Sequence, residues 1–186
     1  MQAPPPARAA EVRILSLGDS YTIGESVAAG DRWPARLAAA LRARGARVSE
    51  PAIVARTGWT TDELSAGIDA ARPRGPFDLV TLLIGVNDQY RGRPADEYRA
   101  QFHALLARSV QFAGGRAARV IVVSIPDWGV TPFGKRSGRD TRQIAAEIDA
   151  FNAVARDEAT RAGAHFVDIT PESRHAAARA DLVAGD

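Results

Sequence analysis

The apolar run Val12-Arg13-Ile14-Leu15-Ser16-Leu17 ends at Gly18-Asp19-Ser20, and this junction decides the fold. The run is typical of a buried β-strand, and Tyr21-Thr22-Ile23-Gly24 after it is typical of the start of a turn or helix. A serine at such a junction lies at the carboxyl edge of a sheet, where backbone N–H groups and a helix N-terminus favour negative charge. Ser20 is therefore well placed to attack a carbonyl carbon.

Short, β-branched apolar runs alternate with segments of helical period along the rest of the chain. Runs without polar alternation indicate parallel strands that are buried on both faces. Repeated β–α units imply right-handed crossovers, so the pattern predicts a three-layer α/β/α sandwich with its site beyond the carboxyl ends of the strands. The further strands are predicted at 52–55, 79–84, 120–125 and 165–169, and the helices are predicted to begin at Asp31, Thr60 (with Glu63 in a capping box), Pro94 and Asp140 and after Pro171.

Composition bounds the class of protein. The chain has 186 residues, enough for one domain, and no apolar stretch approaches the roughly 20 residues that cross a bilayer, so no stable membrane insertion is expected. It has no cysteine, which excludes disulfides and thiolate metal sites, and its three histidines lack metal-ligand spacing. Net charge is +2, and arginines alternate with acids along the predicted helices, which indicates a solvated surface rather than a nucleic-acid interface.

The first ten residues lack the apolar core of a signal peptide. We expect residues 1–10 to be a disordered leader and residues 11–186 to form a single domain. A cytoplasmic location is predicted, with periplasmic or secreted as the alternatives.

Polar or glycine-rich segments follow four successive predicted strands and should converge on one cleft. Acyl transfer needs an activated nucleophile and donors aimed at the developing oxyanion. Ser20 N–H is one candidate donor, Gly58 N–H is a second because glycine lets the backbone approach a ligand, and the Asn87 side-chain amide is a third. The four segments are Gly18-Asp19-Ser20, Arg56-Thr57-Gly58-Trp59-Thr60, Gly85-Val86-Asn87-Asp88 and Pro126-Asp127-Trp128-Gly129.

These segments resemble the SGNH hydrolase superfamily, also called GDSL esterases and lipases. Gly18-Asp19-Ser20-Tyr21 is similar to its first block, Gly58 to its second, and Gly85-Val86-Asn87-Asp88 to its third. The resemblance implies a flavodoxin-like five-stranded parallel sheet in the order 2-1-3-4-5. It also implies Ser20 as nucleophile, an oxyanion hole of Ser20 N–H, Gly58 N–H and Asn87, a structural Asp19, a small-molecule ester substrate and no cofactor.

The family pattern ends with Asp-x-x-His, which supplies the orienting acid and the base. Asp186 fits the aspartate, and the histidine would fall three positions further on, so we expect the sequence to be truncated within this block. His103 is predicted on an exposed helix face and His165 at the opposite edge of the sheet. His175, with Asp168 as its orienting acid, is the remaining alternative for the base.

The substrate pocket is predicted less specifically. Trp59 is either a core residue or a pocket wall, and the glycine-rich segment 126–138 is either a lid or acyl-pocket wall or an ordinary surface loop. Two other functions stay open: a non-catalytic module of the same fold, and a flavodoxin-like phosphate or nucleotide binder, which gives no reason for Asn87. The candidate pocket residues are Asp19, Tyr21, Trp59, Asp88 and Trp128.

Overall fold

The computed structural model describes residues 11–175. Its five strands form one sheet in the order β2-β1-β3-β4-β5, and each neighbouring pair runs parallel. The predicted α/β sandwich and strand order are therefore confirmed. The strands are β1 (Ile14–Gly18), β2 (Ala52–Ala55), β3 (Leu79–Leu83), β4 (Val120–Val123) and β5 (His165–Val167).

Helices connect the strands. The helices are α1 (Ser20–Ile23), α2 (Trp33–Ala43), α3 (Thr61–Ala71), α4 (Val86–Tyr90), α5 (Ala95–Phe112), α6 (Pro132–Arg136), α7 (Thr141–Ala162) and α8 (Thr170–Arg174). The long ones are α2, α3, α5 and α7, and the short α1, α4, α6 and α8 lie at or near the strand ends. Segment 126–138, which the sequence left as a long loop, contains the 3₁₀ turn Trp128–Val130 and helix α6.

Side-chain caps mark the starts of helices α1, α3, α6 and α7. Thr60 and Glu63 form the predicted capping box of α3, and the Asp140 side chain accepts from Arg142 N–H at the start of α7. Asp31 was expected to cap α2, but the N-cap is Arg32 and Asp31 ends the preceding 3₁₀ turn. Pro34 in the first turn of α2 accounts for the shift, because its fixed φ suits a helix start and the missing N–H costs nothing there.

The core lies on both faces of the sheet. All five residues of β1 are buried, and β3 is buried at four of its five positions. Asn152 is a buried polar residue on α7, and its amide donates to Ile125 C=O at 3.0 Å while its Oδ1 accepts from Ile125 N–H at 2.8 Å. This pair of bonds fixes α7 to the chain just beyond β4.

The strand register aligns the strand ends that precede the candidate site. Gly18 at the end of β1 lies opposite Ala55 at the end of β2 and Leu83 at the end of β3. The segments that follow these three residues therefore leave the sheet at the same level and side by side.

Some predictions fall outside the described residues. The expected leader, residues 1–10, and Asp186 lie there, so the roles assigned to them stay predictions. Within residues 11–175, no helix has the length and apolar character needed to span a membrane. The same residues hold no cluster of three or more potential metal-binding histidine or carboxylate groups.

Candidate active site

Ser20 is the first residue of α1 and is half-buried at the carboxyl edge of the sheet. Asp19 caps this short helix, since its Oδ1 accepts a hydrogen bond from Tyr21 N–H at 3.0 Å. Gly18 is required by a close approach: a Cβ there would lie 2.4 Å from Leu83 C=O and 2.2 Å from Thr22 Oγ1. The main chain of β3 therefore packs directly against the turn that presents Ser20.

Gly58 lies in the segment that follows β2, beside the end of β1. Its φ is +83°, a conformation that residues with a Cβ rarely adopt. There is space for a Cβ, since the nearest atom, Arg91 Nη2, would lie 3.9 Å away. The glycine is thus required by backbone conformation rather than by lack of space. On the other side of this turn, Thr57 Oγ1 is hydrogen-bonded to Glu25, in the loop that follows α1.

Asn87 lies near the start of α4, which follows β3. One N–H of its side-chain amide donates to Trp59 C=O at 2.9 Å. An asparagine amide carries two N–H groups, so this bond orients the side chain and leaves the second N–H to donate elsewhere. Ser20, Gly58 and Asn87, the three predicted oxyanion-hole residues, therefore lie on neighbouring segments at one edge of the sheet.

Asp88 ties the same helix to α3. Its carboxylate accepts from Thr61 N–H at 3.1 Å and from Thr61 Oγ1 at 2.8 Å. Together with the Asn87 bond, this contact fixes α4 against both the segment after β2 and the start of α3.

Two buried carboxyl groups, those of Asp19 and Asp88, are close enough for one charge to act on the other. Burial raises the pKa of Asp19 to about 7, the negative charge of Asp88 adds to the shift, and the Tyr21 N–H bond partly opposes it. Among residues 11–175, no group pairs with Asp19 Oδ2, which is itself buried. Burial also raises the pKa of Asp88, against the lowering effect of its bonds from Thr61 and the nearby Arg93.

The five predicted pocket residues differ in exposure. Asp19, Asp88 and Trp128 have buried side chains, which leaves them little surface for contact with a substrate. Tyr21 and Trp59 are half-buried and pack against the core. The Trp59 ring lies on Gly67 of α3, where an added Cβ would be 2.1 Å from the ring. Trp59 thus has the packing role that the sequence left open.

An aromatic cluster lies close to Asn87, where α4 meets the segment after β4. The Tyr90 and Trp128 ring centroids are 5.4 Å apart, and Phe133 lies 5.7 Å from Trp128 and 6.3 Å from Tyr90. Trp128 is the buried member, held by its Nε1–H donating to Gln89 at 2.9 Å. Tyr90 and Phe133 are 49% and 46% exposed, so they form an apolar surface at this edge, hereafter the aromatic surface.

Tyr90, Phe133 and Arg91 were not identified as site residues from the sequence. Tyr90 had a readable signal, because it lies three residues after Asn87 and so one helical turn along the same face, but α4 itself was not predicted. Arg91, just after α4, had none, because its partners lie in a segment that is distant in sequence.

The three histidines have other partners or positions. His103 lies on the outer face of α5, and its Nδ1 is 2.9 Å from Glu158 of α7. His165 is the first residue of β5 and so lies at the opposite edge of the sheet from Ser20. His175 is exposed and lies 3.2 Å from Glu172. Asp168, its expected orienting acid, instead bonds Ser124 and Arg156.

The order-2-1-3-4-5 sheet, with serine after β1, glycine after β2 and Gly-x-Asn-Asp after β3, defines the SGNH class of hydrolases. Comparison with known families agrees: the model of the GDSL-like lipase/acylhydrolase family matches residues 16–186. The chain belongs to this family. No curated protein matches it by sequence.

Solved structures share the fold at low sequence identity. The SGNH-family esterase AlinE4 matches with a TM-score of 0.72 at 20% identity, over 97% of this chain and 86% of that one. A mutant of Axe2, an acetyl-xylooligosaccharide esterase from Geobacillus stearmophilus, matches with a TM-score of 0.69 at 18% identity, over 90% of this chain and 80% of that one. The esterase EstA from Pseudoalteromonas matches with a TM-score of 0.62 at 19% identity, over 85% and 77%.

Proposed function

We propose that this protein is a serine hydrolase that cleaves carboxylic esters through an acyl-enzyme on Ser20. One observation carries the proposal: Ser20, Gly58 and Asn87 follow three adjacent strands whose ends are level in register. A hydroxyl beside two main-chain N–H groups and an oriented amide is the arrangement that acyl transfer requires. Membership of an esterase and lipase family supports the same reaction.

In the proposed reaction, Ser20 Oγ attacks the ester carbonyl carbon as its proton passes to a base. The carbonyl oxygen becomes an oxyanion, which accepts hydrogen bonds from Ser20 N–H, Gly58 N–H and the second Asn87 amide N–H. The carbon–oxygen bond to the alcohol then breaks, and the alcohol leaves with the proton. Water attacks the acyl-enzyme by the same route and releases the acid and Ser20.

We assign the base to a histidine that follows Asp186 in the family pattern, with Asp186 as its orienting acid. The contacts of His103, His165 and His175 support this assignment, because each of them lies at another position or is bound to another carboxylate.

The aromatic surface supports a substrate with an apolar group. Exposed rings beside a catalytic edge remove the apolar part of a ligand from water. Tyr90 shares α4 with Asn87, so an acyl or alcohol group extending from the reacting carbon along this helix reaches the rings of Tyr90 and Phe133. We infer that esters with aliphatic or aromatic groups are preferred over fully polar ones.

Labelling with a fluorophosphonate probe tests the proposal, and the similar esterase EstA has been solved in a form inhibited by monoethylphosphonate. We expect the probe to modify Ser20 in a protein extended through the codons that follow Asp186. The Ser20→Ala variant should not be labelled, and Ser26→Ala, which alters a serine in the loop after α1, should be labelled at the wild-type rate.

Mass spectrometry of the digested protein identifies the modified residue. Labelling of the extended protein but not of the 186-residue chain supports the base assignment. An extended protein that folds and is not labelled at Ser20 would contradict the proposed hydrolase and favour a non-catalytic module.

A further inference from the structure

Residues 56–59 form a tight turn between β2 and α3. Trp59 N–H donates to Arg56 C=O at 3.2 Å, and φ is positive at Gly58 but not at Thr57. These features define a type II turn with glycine at its third position. Its closing bond uses Trp59 N–H, so Gly58 N–H is free of it, and within residues 11–175 no main-chain acceptor binds Gly58 N–H.

The orientation of Gly58 N–H depends on which turn type the segment adopts. Types I and II differ by rotation of the central peptide, which here joins Thr57 to Gly58 and carries this N–H. Because glycine adopts positive φ without steric cost, Gly58 allows the type II form that is observed. The turn type sets the direction of this N–H, whereas its position relative to the Asn87 amide depends on contacts from outside the turn.

Arg91 makes such a contact from the C-terminal end of α4. Its Nη2 donates to Gly58 C=O at 2.7 Å, and its Nη1 donates to Glu63 at 3.3 Å. Glu63 also accepts from Thr60 N–H at 2.9 Å as part of the capping box of α3. The planar guanidinium thus holds the carbonyl of Gly58 while its own direction is set by a carboxylate on a second helix.

We propose that Arg91 is a positioning residue for the oxyanion hole: by holding Gly58 C=O from the end of α4, the helix that carries Asn87, it keeps Gly58 N–H and the Asn87 amide directed at the same substrate carbonyl oxygen. The inference rests on the proposed function and adds to it a residue outside the family blocks. Arg91 and Glu63 are 44% and 40% exposed, and an exposed ion pair contributes little to folding stability. The effect of Arg91 on rate is therefore separable from any effect on folding.

The test uses the extended protein described above and compares its Arg91→Gln and Arg91→Lys variants with the wild type in hydrolysis of p-nitrophenyl acetate. We expect Arg91→Gln to lower kcat by about 10- to 100-fold, somewhat less than deletion of a whole oxyanion donor. KM should change less than twofold, because the donor acts mainly in the transition state. Arg91→Lys keeps one charged donor and should recover part of the loss.

Arg42→Gln is the matched control. Arg42 also donates to a main-chain carbonyl, Val48 C=O at 2.8 Å, and pairs with Glu50 at 2.7 Å. Its contacts lie at the end of α2 near Val48, which pairs with Val12 at the amino edge of the sheet. The control should keep wild-type kcat, and all variants should share the wild-type melting temperature.

A second readout follows the turn itself. In ¹⁵N-labelled protein, a phenylboronic acid adduct of Ser20 should shift the Gly58 amide resonance in the wild type and shift it less in Arg91→Gln. Wild-type kcat in Arg91→Gln, or a loss of kcat matched by loss of folded protein, would overturn the assignment. Absence of fluorophosphonate labelling at Ser20 in the folded extended protein would instead overturn the proposed function, so the two failures are distinguishable.

Discussion

Asp19, beside Ser20, caps helix α1 but is buried, so its effect on folding stability depends on pH. Its side chain is fully buried, and one oxygen caps α1 while the other has no partner among the described residues. Because burial raises its pKa to about 7, the folded protein holds the Asp19 proton far more tightly than the unfolded chain does. Folding stability must therefore depend on the protonation of this group.

The Asp19→Asn variant tests that dependence. A raised folded-state pKa gives a contribution to stability that is fully present below about pH 4 and is lost as the pH rises to about 7. A shift of this size corresponds to roughly 4 kcal/mol. The substituted asparagine stays neutral and still accepts from Tyr21 N–H, so the free energy of unfolding should fall less between pH 4 and pH 8 in the variant.

Urea unfolding at several pH values measures this difference. Asp31→Asn, at a 66% exposed side chain, controls for the loss of one negative charge. Parallel stability curves for Asp19→Asn and the wild type would show that Asp19 is not the group responsible.

At the scale of elements, the five-residue helix α4 organises the candidate site. It places Asn87 against Trp59 and Asp88 against Thr61, and Arg91 just after it contacts Gly58. A helix this short has little stability of its own, so these contacts hold it in place. Its last residue, Tyr90, reaches across to α6 and completes the aromatic surface.

The contact between Tyr90 of α4 and Phe133 of α6 predicts selectivity for the length of the substrate's acyl chain. Phe133→Ala removes one exposed ring of the aromatic surface, so kcat/KM for p-nitrophenyl hexanoate should fall about tenfold, while that for the acetate should stay within twofold. Val167→Ala, at a similarly exposed apolar residue on β5, should leave both values unchanged. Equal losses on both esters would show that the ring does not contact the acyl chain.

At the scale of the whole molecule, stability is concentrated at the centre of the sheet. β1 and β3 pair with each other between two further strands and are almost entirely buried, whereas β5 is an edge strand with two exposed residues. Central strands open only by global unfolding, and edges open locally at lower free energy.

Hydrogen–deuterium exchange checks this distribution. Amides of Leu15, Leu17 and Leu82 should exchange at least about 100-fold more slowly than those of β5, since local opening frees the edge strand first. Exchange of β1 and β5 at one common rate would mean that the sheet opens as a single unit.

The sequence indicated the larger part of the fold because its signals are local. β-branched runs predicted the five strands, and the Thr60–Glu63 capping box and Asp140 predicted helix starts that the structure confirms. Asp31 failed as a cap because α2 begins two residues later, at Trp33, with Pro34 in its first turn. α4 was not predicted, because five residues that follow a glycine carry too short a pattern to read.

The sequence by itself determined the fold class, the family and the strand ends where Ser20, Gly58 and Asn87 lie. These features depend on strand–helix alternation and on motif spacing, which are local properties of the sequence. Only the tertiary structure decided that Trp128 lies beneath the exposed rings of Tyr90 and Phe133, and that Arg91 holds Gly58 from 33 residues away. The physical reason is that burial and hydrogen-bond partners depend on which side chains packing brings together, and no local pattern encodes that choice.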